Sequence, residues 1–331
     1  MFELNPDTEE ETMTLSTFLL ILNCFLIFLG LILNLFIVMM NIIWWLKGKI
    51  LQPVDIIMTS LGSARIILLF IYLFLASVIE MLTDLVGHSK NISSIITAIL
   101  FVAFCSLWWG TILGAFYCVK ITTYRNQLFM KLKMNISNMV PWMLIGSMII
   151  SSFSSLPCLW STFSMKFSNT RNENISNNVT RQRYHAKYLN LLFINFAGTI
   201  IPLFIFCVSI YLLIASVVKH TKNMKDSSGS SKPQLEAHKN AIINMASFLF
   251  LYLIFFVSSH LMFLGFYIKD QIFIFLCCIG LSSYPSLHSI LLIVSNAKLK
   301  RSVLSASHAI QSNMFSIWIS MKASVCVNKL H

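Results

Sequence analysis

An all-α membrane protein, a seven-transmembrane helix bundle with its N-terminus outside and its C-terminus cytoplasmic, is the fold class this sequence predicts. Three observations predict it. Of the 331 residues, 57% are hydrophobic and only 11% charged, where a soluble domain carries roughly 25% charged residues; the mean hydropathy is +0.77. The apolar residues gather in seven runs, near 15–45, 54–80, 94–122, 138–161, 188–218, 240–266 and 272–296, each longer than the ~20 residues that span a bilayer core. With the N-terminus outside, sixteen of the 24 Lys and Arg residues fall on the inner side, seven on the outer side, and Arg65 lies within a span, as the positive-inside rule requires.

Each run reads as a helix, because an isolated strand in lipid leaves its backbone unsatisfied. Residues 1–14 form an acidic exterior segment with Glu3, Asp7, Glu9, Glu10 and Glu11. The run that follows is too long for a cleaved signal peptide. The third inner loop, Lys219 to Lys239, contains Asp226-Ser-Ser-Gly-Ser-Ser-Lys-Pro, a solvated connector. The outer loop at 162–187 carries Asn174-Ile-Ser and Asn178-Val-Thr, and Asn91-Ile-Ser lies in the first outer loop; all three fit the N-glycan acceptor pattern. Residues 301–331 form a cytoplasmic tail whose start has the pattern of an amphipathic helix on the membrane surface.

The net charge of +12 follows from inner-side anchoring, and the basic-aromatic pattern of a nucleic-acid binder is missing. Eight cysteines fall mostly inside apolar runs and have no metal-ligand spacing. No catalytic constellation and no metal or cofactor motif stands out. His220, His238 and His288 are expected singly at cytoplasmic helix ends. Absence of an internal repeat weakens a transporter built from duplicated halves.

Three features carry chemistry. Arg65 is a charge inside a span, and such a group faces the bundle interior with a polar partner; Asn34 and Ser289 are the candidates. The group is either a polar lock between two helix arrangements or a purely structural anchor. Trp108 and Trp109 crowd the third run, as interface anchors or as the wall of a ligand site, where indole offers an apolar face and one donor. Pro202 and Pro285 interrupt the fifth and seventh runs and permit kinks.

Read together, the motifs carry a resemblance. The first run reads Gly30-x-x-x-Asn34-x-Phe36-Ile37-Val38 with Asn41, Trp45 and Lys47; the second runs from Asp55 through Arg65. The third has Trp108 and Phe116-Tyr117-x-x-Lys120-Ile121, then Leu132-Lys133. The fifth runs from Pro202 through Leu212-Leu213-Ile214-x-Ser216 to His220, and the sixth from His238-x-x-Ala241 to Ser247-Phe248-Leu249-x-Leu251-Tyr252. The seventh ends Pro285-Ser286-x-His288-Ser289-Ile290-Leu291, with Asn296-x-Lys298-Leu299-Lys300 beyond. From about Gly30 to Lys300 the chain resembles the bitter taste (type 2 taste) receptors, a G-protein-coupled family. It departs from the family pattern at Ala64, at Lys232-Pro233-Gln234, at Phe255 and at Ile112, which bears on ligand preference. Neither Asp-Arg-Tyr after the third run nor Asn-Pro-x-x-Tyr in the seventh is present, unlike most rhodopsin-like receptors.

The resemblance implies a receptor domain over 15–300 that takes small bitter ligands between helices 3, 5, 6 and 7. Trp108, Trp109, Thr111, Ile112, Phe255, Ser258, Ser259, Met262, Cys278 and Leu281 are the pocket residues it implies. It also implies a heterotrimeric G protein of the gustducin/Gi type at the basic inner face, with Tyr117, Lys120, His220, His238 and Lys300 at or beside that surface. A pheromone (vomeronasal type 1) receptor is the nearest alternative, and a membrane transporter a more distant one.

Overall fold

The computed structural model describes residues 6–82, 92–122, 127–169, 177–225, 232–268 and 270–305, together with 308 and 311. Seven α-helices account for nearly all of it: α1 (Pro6–Leu46), α2 (Pro53–Leu82), α3 (Ile92–Ile121), α4 (Gln127–Asn169), α5 (Asn177–Lys225), α6 (Lys232–Ile268) and α7 (Gln271–Ser295). Each contains a stretch long and apolar enough to cross a membrane. The chain is a seven-transmembrane bundle, as its hydropathy predicts.

The helices outrun the apolar runs. Residues 6–14, expected as an exterior segment, already form the start of α1. The expected outer loop at 162–187 is helical up to Asn169 and again from Asn177. Intrahelical hydrogen bonding does not stop where lipid ends, so polar turns extend the rods beyond the membrane. At 49 residues, α5 is about 73 Å long at 1.5 Å per residue.

The ends that the sequence does set have local causes. Helix α1 stops at Gly48, whose φ is 72°, a conformation that costs glycine little. The N–H of Gly48 bonds the Trp45 carbonyl at 2.9 Å and that of Lys49 the Trp44 carbonyl at 3.1 Å, which closes a Schellman cap. Helix α2 starts with Pro53, whose missing N–H is no loss in a first turn. Asp55 in that turn accepts the Gln52 N–H at 3.0 Å, one half of a capping box. Helix α7 is capped by Asp270, whose carboxylate accepts the Phe273 N–H at 3.1 Å.

Residues 1–289 form one compact unit and 290–331 a second. In the first, α3 is the central rod: it packs against α2, α4 and α5, and 61% of its span is buried, against 28% for α1, α4 and α6. Large apolar side chains such as Phe18, Phe25, Phe74, Trp142, Phe153 and Phe204 point outward from the other helices, as lipid-facing positions do. In the second unit the helix breaks at Asn296 and resumes over 297–305. The Asn296 carboxamide oxygen accepts the N–H groups of Lys298 at 2.9 Å and Leu299 at 3.3 Å, so this residue caps the new segment.

Candidate functional site

The interior of the first unit is polar where α1, α2 and α7 meet. Arg65 is fully buried. One terminal nitrogen of its guanidinium reaches Nδ1 of His288 at 2.5 Å and the other lies 3.5 Å from Oγ of Ser289. A guanidinium has no lone pair to accept with. Nδ1 of His288 must therefore be the acceptor, which places the ring proton on Nε2 and keeps the imidazole neutral. Arg65 also stands over the ring of Tyr284, 4.9 Å from its centroid, an attractive cation–π arrangement.

Asn34 joins this group through Ser289. Its carboxamide oxygen accepts the Ser289 hydroxyl at 2.8 Å, and its nitrogen donates to the Pro285 carbonyl at 3.2 Å and the Gly30 carbonyl at 2.8 Å. Two more bonds tie α1 to α7: Ser282 to Asn23 at 2.8 Å and Ser286 to the Leu26 carbonyl at 2.7 Å. Both polar partners expected for Arg65 are thus in the network, Ser289 directly and Asn34 one step removed. The expectation that His288 stands alone at a helix end is corrected. It is buried against Arg65, seven residues before the end of α7 and hence about 10 Å inside it.

An aromatic cluster continues from this network across the bundle. Phe248 of α6 stacks on His288 with centroids 4.1 Å apart and meets Phe206 of α5 edge-on at 4.5 Å. Tyr252 lies 6.1 Å from both Phe248 and Tyr284, and Phe255 lies 5.3 Å from Tyr284. Helix α3 admits these rings by presenting glycine. A Cβ at Gly110 would come within 2.7 Å of Phe248 and 3.1 Å of the Tyr284 hydroxyl; one at Gly114 would stand 2.2 Å from Phe206. Edge-to-face and offset pairs of this kind add about 0.5–1.5 kcal/mol each beyond area burial.

Pro202 of α5 sits beside the cluster. It cannot bond the Gly198 carbonyl one turn earlier, and the neighbouring carbonyls turn to other helices. Thr199 accepts the Tyr252 hydroxyl at 3.1 Å, and Pro202 accepts the Thr111 hydroxyl at 3.2 Å. The weakened turn is thereby pinned to α6 and α3.

The pocket residues that the resemblance points to fall on α3, α6 and α7. Thr111 binds α5 as described, and Trp108 lies one turn before Thr111 and Ile112 on that same side of α3, since positions three and four apart share a face; it is half-buried. Trp109 turns elsewhere: its indole N–H donates to Ser147 of α4 at 3.0 Å. Phe255 is in the cluster. Ser258 lies against Gly280, where a Cβ would come within 1.9 Å of its hydroxyl. Ser259 accepts from Asn195 of α5 at 3.2 Å, and His260 and Phe256 complete that junction. Met262, Cys278 and Leu281 are half-buried. Neither Cys105 nor Cys158 is in a disulfide.

At the other end of α3, Tyr117 is half-buried and Lys120 exposed, with its ammonium 5.7 Å from the Phe116 ring. Lys300 is exposed within the second unit. The side chains of His220 and His238 lie outside the described residues, as do Asn91, Asn174 and the side chain of Asn178. Sequence reasoning singled out none of Phe206, Tyr284 and Asn195. Asn195 carried a signal, a carboxamide in an apolar run; the rings carried none, because an interior Phe and a lipid-facing Phe look alike.

A family model described as taste receptor protein (TAS2R) matches residues 12–310. The chain is 33% identical over 279 residues to "Taste receptor type 2 member 1" of Chlorocebus aethiops, covering 82% of this chain and 90% of that protein. It is 34% identical over 280 residues to "Taste receptor type 2 member 119" of Rattus norvegicus, covering 82% and 79%. It is 33% identical over 276 residues to "Taste receptor type 2 member 4" of Pongo pygmaeus, covering 82% and 91%.

Proposed function

The chain belongs to the TAS2R family of taste receptors, a multi-pass protein of the plasma membrane, and from that premise we propose that it binds small bitter compounds among α3, α5, α6 and α7 and activates a G protein of the gustducin/Gi type. The N-terminus is outside in this reading. Ligands enter from that side, toward Trp108, Phe255, Ser258, Ser259, Met262, Cys278 and Leu281.

One observation carries the reading: polar and aromatic side-chain contacts close a circuit through these four helices. Thr111 joins α3 to α5 through the kink at Pro202. Asn195 and Ser259 join α5 to α6, Phe255 joins α6 to Tyr284, and the Tyr284 hydroxyl lies 3.5 Å from the Ser106 carbonyl of α3. Each is a contact that a ligand can compete with, and a ligand moves an equilibrium only by binding one arrangement better than the other. Below the circuit, Arg65 and the rings of Phe248 and His288 connect the ligand side to α1 and α2. Rearrangement there would part the inner ends of α5 and α6 beside Tyr117 and Lys120, where the G protein docks.

The test is calcium release in cells that express the chain with a promiscuous G protein bearing a gustducin tail, screened against bitter compounds. A response that requires the G protein supports the reading. Silence across the panel despite confirmed surface expression refutes it.

A further inference from the structure

Helix α4 turns polar side chains away from the bundle. At 3.6 residues per turn, Ile136, Val140, Leu144, Ser147 and Ser151 share one face, and all are buried. Lys131, Asn135, Asn138 and Trp142 share the opposite face, within about 60° of one another, and all are exposed. Ile145 and Ile149 continue that stripe and are half-exposed. The stripe therefore looks outward, to lipid.

Lys133 fixes the level of the stripe. Its ammonium donates to the Thr122 carbonyl at 2.9 Å, just past the end of the α3 span at Ile121. The stripe thus begins at a membrane surface and runs inward. An interfacial region is about 5–7 Å thick on each side of the hydrocarbon core. At 1.5 Å per residue, Asn135 stands about 6 Å and Asn138 about 10 Å inward of Lys131, while the long lysine stem lets its ammonium reach back to the surface. The carboxamides lie at the hydrocarbon boundary, where water is scarce and an amide without a partner is costly. Hydroxyls farther along α4 bond their own helix, Ser152 to the Met148 carbonyl and Ser154 to the Ile150 carbonyl, both at 2.9 Å. The side chains of Lys131, Asn135 and Asn138 have no such partner among the described residues.

The partners this stripe calls for have a definite order: an anion at the surface, two acceptors at the hydrocarbon boundary, then apolar chains. A phospholipid carries its groups in that order. We propose that Lys131, Asn135 and Asn138 form a binding site for one anionic diacyl phospholipid. The ammonium pairs with the headgroup phosphate, the carboxamides donate to the two ester carbonyls, and the acyl chains lie along Trp142, Ile145 and Ile149. Because no described carboxylate pairs with Lys131, a headgroup of net negative charge is preferred to a zwitterionic one, which brings its own cation. With the N-terminus outside, as in the reading above, this is the negatively charged cytoplasmic leaflet; only the choice of leaflet rests on that reading. A second copy of the chain fits the stripe less well, because a two-fold contact sets Lys131 against its own copy.

The experiment is native mass spectrometry of the purified full-length protein in detergent. The protein is titrated with dioleoyl phosphatidylglycerol, with the phosphatidylcholine of the same chains, and with diether phosphatidylglycerol, which keeps the phosphate but lacks both ester carbonyls. The expected result is one saturable phosphatidylglycerol adduct. Binding should weaken about tenfold with the diether lipid, and about tenfold when Asn135→Leu is combined with Asn138→Leu, as the loss of two hydrogen bonds predicts. Lys131→Gln should remove the preference over phosphatidylcholine. The diether comparison uses the unmodified protein, so it decides even where a variant does not fold. Equal binding of all three lipids, or a phosphatidylglycerol adduct indifferent to the paired Asn change, overturns the proposal. A lipid-free two-chain species that the paired Asn change dissociates overturns it in favour of a seam between copies. No signalling readout enters, so failure here is distinct from failure of the receptor reading.

Discussion

Replacing His288 with phenylalanine isolates the bond that Arg65 depends on. The ring remains to stack on Phe248, 4.1 Å away, but the Nδ1 acceptor is gone. Arg65 then keeps the long 3.5 Å contact to Ser289 and its contact with Tyr284. A hydrogen bond to a charged group is worth about 1.5–3 kcal/mol. The guanidinium cannot turn to water at zero exposure, so a loss of about 2 kcal/mol or more is expected. For a domain somewhat smaller than this one, 1 kcal/mol moves the midpoint by about 2–4 °C. The expected fall in the thermal midpoint of the detergent-purified protein is therefore about 4–8 °C. His288→Gln restores an acceptor while sacrificing the stacked ring, so it should fall less if the bond dominates. A His288→Phe protein as stable as the original would refute the assignment of Nδ1 as the acceptor that holds Arg65.

Other expectations follow from the same contacts. Gly114→Ala forces a Cβ to within 2.2 Å of Phe206, which is buried and held by Phe248, and should cost about 1–3 kcal/mol by overpacking. Gly146→Ala on α4 meets nothing within 4 Å and should gain up to about 1 kcal/mol from helix propensity; parallel thermal unfolding of the two variants checks both signs. Trp109→Phe removes the bond to Ser147 and should cost about 0.5–1.5 kcal/mol with ligand responses retained, whereas Trp108→Ala should blunt responses at unchanged surface expression. Replacing both Asn174 and Asn178 with Gln should increase gel mobility, as glycosidase treatment of the unmodified protein should.

Seven helices were legible because lipid imposes an unbroken apolar run on each span, a signal that survives any ignorance of packing. Their ends were not, because hydrogen bonding continues through polar turns; Asn178, polar enough for a loop, sits in the first turn of α5. Arg65 declared itself by charge alone, and Asn34 and Ser289 by being polar in apolar runs. His288 is not legible as buried because an imidazole near the end of a span looks the same in sequence whether it faces Arg65 or water. The aromatic cluster needed three-dimensional packing to appear: Phe206, Phe248 and Tyr284 come from three helices and share no spacing in the chain. Trp108 and Trp109 are adjacent, and one residue of helical rotation sends Trp109 to α4 while Trp108 keeps the face of Thr111.

The central claim is that this bundle turns the binding of a small bitter compound into activation of a G protein, and nucleotide exchange measures it most directly. The purified protein, reconstituted in lipid discs with a gustducin-type heterotrimer, should accelerate GTP-analogue uptake only when an activating bitter compound is present, and Trp108→Ala should lose that dependence. A folded, thermally stable protein that leaves the exchange rate unchanged with every compound of a broad bitter panel would contradict the account.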